Sequence, residues 1–100
     1  MLKRLLVQRR VARGAAFLDR AVGPDWHTSV DPDKTRIAHG DCCILGQLFT
    51  GLNGYHTGCG ELNLTLGESC SHGFHSDSQV DYRSLTPAWR KEVRDRQAAA

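Results

Sequence analysis

The segment Val11-Ala-Arg-Gly-Ala-Ala-Phe-Leu-Asp-Arg-Ala-Val22 carries apolar residues at the spacing of one face of an α-helix. Leu5 and Leu6 extend this apolar pattern backwards, and Gly23-Pro24 ends it, because proline cannot continue a helix. We therefore predict a first helix over residues 3–22. Gly14 is its weak position, since glycine costs about 1 kcal/mol relative to alanine unless another backbone packs closely there. The predicted buried face holds Val11, Ala15, Leu18 and Val22.

A second apolar stripe lies between residues 41 and 54. Asp41 is a suitable N-cap for a helix there, and Asn53-Gly54 closes the pattern. We predict that this helix is the central and most buried one. Gly46 within it would permit a close helix crossing. The apolar positions of the stripe are Ile44, Leu45, Leu48, Phe49 and Leu52.

The segment Leu62-Asn-Leu-Thr-Leu66 is ambiguous. It alternates as a strand does, but no second segment of the chain alternates, and a lone strand is not stable. The alternative, which we favour, is a short helix over residues 64–72. Gly73 would end this helix, and Phe74 would pack back against it.

A last helix is predicted after a polar loop that includes Ser76-Asp-Ser78 and Asp81. Thr86-Pro87 looks like an N-cap followed by proline at the first helical position, which predicts a helix over residues 87–97. Its apolar face would hold Trp89 and Val93.

The composition allows a small packed core. Leu, Val, Ile and Phe supply 22 of the 100 residues, just above the roughly 20% below which chains usually stay disordered. We predict a mainly α fold, a small single domain over residues 1–100 with three to four helices and long irregular connections. The connection at residues 23–40 favours turns and is expected to reach the core through Trp26, Val30 and Ile37.

Both ends of the chain are basic and its middle is acidic. Residues 1–20 hold six basic residues and one acidic residue, residues 21–81 hold two and eight, and residues 82–100 hold five and two. One interpretation is that the basic ends fold against the acidic middle or form solvated helix faces. The other is that they bind an acidic partner protein or nucleic acid. The binding residues would then be Arg9, Arg10, Arg13, Arg90 and Arg94.

The charge pattern also bears on the compartment. Basic residues interrupt the apolar N-terminus, so no signal peptide is expected. The longest charge-free stretch, residues 42–60, contains five glycines and is too polar for a membrane span. We expect a soluble cytoplasmic protein whose cysteines are thiols or metal ligands.

The histidines and cysteines offer one plausible metal site. His39-x2-Cys42 and His56-x2-Cys59 each place two ligands three positions apart, and together they would make a tetrahedral zinc set. Structural zinc contributes directly to folding, so the alternative to a cofactor-free protein is a zinc-stapled domain that binds nucleic acid. The competing interpretation is that the cysteines are ordinary buried thiols.

A thiol-dependent activity has one source of support. Cys42 and Cys43 follow the predicted cap Asp41, where the helix dipole favours a thiolate, and His39 or His56 could act as a base. Nothing in the sequence specifies an oxyanion hole or a substrate pocket. We therefore predict that the protein is not an enzyme.

Five short segments carry a resemblance to known proteins. They are Arg13-Gly-Ala-Ala-Phe-Leu-Asp19, Pro24-Asp-Trp26, Cys43-Ile-Leu-Gly-Gln-Leu-Phe49, His72-Gly-Phe74 and Tyr82-x2-Leu-Thr-x-Ala-Trp89. Together they resemble a group of small, functionally uncharacterised proteins encoded by bacteriophages of actinobacteria. The resemblance supports a shared fold more than a shared activity, because it rests mostly on apolar and glycine positions. It implies the cytoplasm of an infected host cell and a non-enzymatic role in binding a host or phage protein.

Overall fold

The computed structural model describes residues 2–49, 53–76 and 79–100, with side chains described from residue 5 onward except at residues 79 and 80. Within these ranges the chain forms five α-helices, one 3-10 turn and no strand, so the prediction of a mainly α fold is confirmed. The helices are α1 (Leu2–Ala21), α2 (Ile44–Leu48), α3 (Gly54–Glu61), α4 (Leu66–Ser71) and α5 (Gln79–Ala99), and the 3-10 turn is Trp26–Ser29.

The core forms around the contact between α1 and α5, which run in the same direction. Arg10 pairs with Asp81 near the start of α5, and Asp19 pairs with Arg96 near its end. The ring of Trp89 lies between the two helices and the loop after α4. The fully or almost fully buried side chains of the two helices are Val7, Val11, Ala15, Leu18, Leu85, Trp89 and Val93.

Helix α1 starts and ends within one residue of the prediction. It ends there because Gly23 leaves the helical conformation with a φ of +131°, which suits glycine. Gly14 is explained by packing, since a Cβ there would collide with the carbonyl oxygen of His72 and with the ring of Trp89. Four apolar residues differ from the predicted pattern. Val7, which the prediction did not include, is buried. Leu5, Leu6 and Val22, which it placed on the apolar face, are exposed.

Helix α5 begins at Gln79, well before the predicted start at Pro87, which lies inside the helix. The prediction that Asp81 belongs to a loop is wrong, because it stands in the first turn of α5. Thr86 is not an N-cap either. Its Oγ1 instead accepts a hydrogen bond of 3.1 Å from the backbone N–H of Ile37. Asp77 and Ser78 of the predicted loop lie outside the described residues.

An apolar stripe explains why the helix passes through Pro87. Tyr82 and Leu85 precede the proline at helical spacing from Trp89 and Val93, and Leu85 is fully buried. An internal proline costs about 3 kcal/mol in a helix. Burial of the stripe on both sides of the proline offsets that cost, at about 1.5–3 kcal/mol for each large apolar side chain.

The predicted central helix is observed only as the short helix α2, and a separate helix, α3, begins at Gly54, where the predicted helix was expected to end. The N-cap of α2 is Cys43 and not Asp41, since the Cys43 Sγ accepts a hydrogen bond of 3.2 Å from the Gly46 N–H. Asn53 does not close α2 but caps α3, where its side chain accepts from the His56 N–H. A Cβ on Gly54 would lie 2.7 Å from the Gly46 Cα, so the predicted close crossing at Gly46 is observed. Leu52 lies outside the described residues.

The helical interpretation of residues 64–72 is confirmed in α4. Thr65 and Glu68 form a capping box at its start. Gly73, with a φ of +73°, ends it, and the Phe74 N–H donates to the Ser69 carbonyl at 2.9 Å. This arrangement turns the chain toward α1 and buries Phe74. The predicted anchors of residues 23–40 are also buried, and they are Trp26, Val30 and Ile37.

Candidate partner-binding surface

Arg96, near the C-terminus, contacts residues of α1, α5 and the 3-10 turn. Arg96 lies 2.8 Å from Asp19 of α1 and 2.7 Å from Glu92 of its own helix. Its guanidinium carbon also lies 5.4 Å from the ring centroid of Trp26. Asp19 accepts a second hydrogen bond, of 2.9 Å, from the Trp26 indole N–H. This cluster joins the C-terminal end of α1 to α5.

The two α5 arginines of the predicted binding set contact the irregular segment before α2. Arg94 pairs with Asp33 at 2.6 Å. The Arg90 guanidinium donates two hydrogen bonds, of 3.0 and 2.9 Å, to the carbonyl oxygen of Thr35. Arg90 therefore satisfies a backbone acceptor and is half-buried, whereas Arg94 and its partner Asp33 are largely exposed.

The three α1 arginines of the predicted set differ among themselves. Arg10 lies 3.7 Å from Asp81, and Arg13 donates a hydrogen bond of 2.9 Å to the Ser71 carbonyl. Arg9 is exposed and makes no ion pair or side-chain hydrogen bond with the described residues. The basic ends therefore do fold against the middle of the chain in part, while Arg9 retains an uncompensated charge.

The solvent side of α1 combines exposed leucines with arginines. Leu5 and Leu6 are 55% and 48% exposed, although sequence reasoning places them with the core. Leu6 and Arg9 are three positions apart, so their side chains lie on one side of the helix. Arg20 continues the same stripe and, like Arg9, makes no ion pair with the described residues. We call this surface the outer face of α1, and its residues are Leu5, Leu6, Arg9, Arg13 and Arg20.

A simple helical count separates the two sides of α1. Val7, Val11 and Leu18 mark the buried side, and the outer face lies about half a turn away from them. The signal for exposed leucines was therefore present in the sequence. It was missed because leucine next to a buried stripe was counted with the stripe.

The four candidate zinc ligands occupy different environments. His39 and His56 are exposed, and Cys42 is half-buried in the turn that follows His39. Cys59 packs against the core from α3. Within residues 2–49, 53–76 and 79–100, no three histidine, cysteine or acidic side chains are grouped in a way that could hold a metal ion. The zinc site stays a prediction from spacing.

The Cys43 thiol differs from a catalytic nucleophile. Burial raises the pKa of Cys43 to about 11, and the hydrogen bond from the Gly46 N–H lowers it by less than burial raises it. The thiol is therefore protonated at neutral pH, although it stands at the start of a helix. The lowering of the pKa that the helix dipole was expected to cause is smaller than the rise caused by burial, because the thiol is shielded from water.

Comparisons with known proteins find no match for this chain, whether with protein-family models, with curated proteins or with solved structures. Among the described residues, none of the helices combines the length and the apolar character that crossing a bilayer requires.

Proposed function

We propose that this chain is a non-enzymatic bacteriophage protein that uses the outer face of α1 to bind an acidic segment of a host protein. The observation that carries the proposal is the pairing of exposed leucines with unpaired arginines. Leu6 and Arg9 are neighbours on one side of α1, and Arg9 has no acidic partner among the described residues. Such a surface offers both apolar area and charge to a partner.

The charge balance supports this face over the C-terminal half of α5. Arg90 and Arg96 of α5 are occupied by Thr35 and Asp19, so binding a partner through them would break internal contacts. Binding a partner through Arg9 would break no internal ion pair or hydrogen bond among the described residues. A binding site that costs no internal contact retains more of the interaction free energy for the partner.

The exposed leucines support a protein partner over a nucleic acid. Phosphate groups give a basic face salt-dependent affinity but offer no apolar surface for Leu5 or Leu6. Stacking of bases needs exposed aromatic rings, and both tryptophans, Trp26 and Trp89, are buried. A helix with acidic and apolar side chains at helical spacing would match both properties of the outer face.

The phage setting and the host cytoplasm rest on the resemblance in sequence. A small helical protein with an exposed surface that combines leucines and arginines suits a role in which binding is the whole activity. The proposal therefore includes no cofactor.

Site-specific photo-crosslinking in infected host cells tests the proposal. A benzophenone side chain replaces Leu6 in one variant and Leu66 in the control, because Leu66 is also an exposed leucine, at 59%, but lies on α4. We expect one host protein to be crosslinked at position 6 and not at position 66. Identical adducts at both positions, or none at position 6, would contradict the proposal. An adduct with DNA or RNA at position 6 would contradict a protein partner and would indicate that the outer face of α1 binds nucleic acid.

Zinc analysis of protein purified without chelator tests the alternative function. Zinc near one equivalent, together with loss of the fold on chelation, would favour the zinc-stapled domain. Less than about 0.2 equivalents, with folding unaffected by chelator, would exclude it.

A further inference from the structure

A groove lies between the turn that precedes α2 and the first half of α5. It is shallow and largely open to solvent, with a volume of about 340 Å³. The side chains that matter for its chemistry are Arg36, Ala38, His39, Tyr82, Arg83 and Thr86.

The groove carries positive charge that the fold does not neutralise. Arg36 and Arg83 both line it, and neither guanidinium makes an ion pair with the described residues. The side chain of His39 is also exposed at the groove and makes no hydrogen bond with the described residues. The described lining includes no acidic side chain. Arg94 and Arg96, by contrast, are each paired with a carboxylate.

Hydrogen bonds hold the wall formed by residues 36–39 in place. The Arg36 N–H donates to the Cys42 carbonyl at 3.1 Å, and the His39 N–H donates to the Arg36 carbonyl at 3.1 Å. Ile37 between them is buried and bonded to Thr86 of α5. The two arginines are therefore attached to hydrogen-bonded backbone, so only their side chains need to be ordered when a ligand binds.

Thr86 adds a donor to the groove. Its oxygen accepts from the Ile37 N–H, and its own O–H makes no hydrogen bond with the described residues. The hydroxyl proton is thus available to an acceptor in the groove. Ala38 and the ring of Tyr82 supply apolar surface beside these donors.

We propose that this groove binds the phosphoryl group of a small organic phosphate. Two guanidinium groups match the charge of a phosphate monoester dianion, and arginine presents paired donors that fit its oxygens. The Thr86 hydroxyl would donate to a further oxygen. The organic part would lie against Ala38 and Tyr82. None of these residues belongs to the outer face of α1, so this proposal does not depend on the proposed function.

Titration of isotopically labelled protein with phenyl phosphate, followed by amide NMR, tests the groove. We expect saturable shifts at residues 36–39 and 82–86. Arg36→Gln and Arg83→Gln should each weaken binding on the order of tenfold, since each removes a charged hydrogen-bond donor. Lys34→Gln is the matched control, because it removes one charge from an exposed position in the same segment that does not line the groove. The affinity of the Lys34→Gln variant for phenyl phosphate should equal that of the unaltered protein.

The remaining outcomes decide between ligand sources. Inorganic phosphate should bind more weakly than phenyl phosphate, because it lacks the apolar body. Equal affinities would overturn the organic part of the proposal, since the groove would then recognise free phosphate. Equal weakening by Lys34→Gln, shifts outside the groove, or no saturation would overturn the site itself. Thermal unfolding of each variant shows whether the fold is retained.

Discussion

The carboxylate of Asp19 lies 2.8 Å from the guanidinium of Arg96, and this pair joins the C-terminal end of α1 to α5 across 77 positions of sequence. The same carboxylate oxygen accepts from the indole of Trp26. One acidic residue in the basic N-terminal segment therefore orients a core tryptophan and compensates a C-terminal arginine.

Replacing Asp19 should destabilise the protein more than replacing a surface acid. In Asp19→Ala the Trp26 N–H loses its acceptor and Arg96 loses one of two partners, which together cost about 2 kcal/mol. Urea unfolding measures the difference. Asp95→Ala is the control, since among the described residues Asp95 pairs only with the exposed Lys91, and we expect it to change stability by less than about 0.5 kcal/mol. Equal effects would contradict the structural role of Asp19.

Two glycine substitutions should change the stability of the protein in opposite directions. Gly14→Ala gains helix propensity but forces a Cβ against the His72 carbonyl and the Trp89 ring, so we expect destabilisation by about 1–3 kcal/mol. Gly60→Ala in α3 places a Cβ in open space and should stabilise the protein by up to about 1 kcal/mol. Thermal unfolding compares them. Stabilisation by Gly14→Ala would show that α1 and α4 do not approach as described.

The capping box at α4 should make stability depend on pH. The hydrogen bond from the Thr65 backbone N–H lowers the pKa of Glu68 below its ordinary value of 4.5. A lowered pKa in the folded state means that the contribution is present above the ordinary value and is lost as pH falls through the lowered one. Glu68→Gln should therefore reduce stability at pH 7, and its difference from the unaltered protein should shrink in acid.

Unfolding midpoints between pH 3 and pH 7 measure this effect. Glu61→Gln makes the same change in net charge at an exposed position and serves as the control. A difference between Glu68→Gln and the unaltered protein that is as large in acid as at pH 7 would rule out the proposed role of the carboxylate.

The Cys43 thiol should resist alkylation while the protein is folded. Burial raises its pKa to about 11 from 9.0, so at pH 8 it is protonated as well as shielded. Mass spectrometry after brief iodoacetamide treatment should find the half-buried Cys42 modified before Cys43. Modification of Cys43 at the rate of a free thiol would reopen the hypothesis of a cysteine nucleophile.

Local signals in the sequence were sufficient for some elements and not for others. Helix α1 and α4 were predictable, because their stop signals at Gly23 and Gly73 act within a few residues. Helix α3 was not, since it contains Gly54, Gly58 and Gly60 and has poor intrinsic helix propensity. Gly54 packs against the backbone of Phe49 and Gly46, and Gly58 packs against the side chains of Leu45 and Phe49. These contacts form only in the folded chain.

The candidate site shows the same limit. Counting charges identified the five arginines, but not which of them are occupied, because Arg94 finds Asp33 across 61 positions of sequence. Long-range pairing of this kind leaves no local pattern. The exposed position of Leu6 was accessible from helical geometry, since it lies on the opposite side of α1 from Val11 and Leu18.

Quantitative affinity capture from host lysate tests the role of the outer face of α1 most directly. The comparison uses the unaltered protein, the double variant Leu6→Ser with Arg9→Ser, and the control double variant Leu66→Ser with Lys34→Ser. Both variants lose one exposed leucine and one exposed base, and circular dichroism is used to check that each is folded. We expect a host protein with an acidic segment to be retained by the unaltered protein and the control, and to fall on the order of tenfold with the outer-face variant. Equal retention by all three proteins would contradict the account.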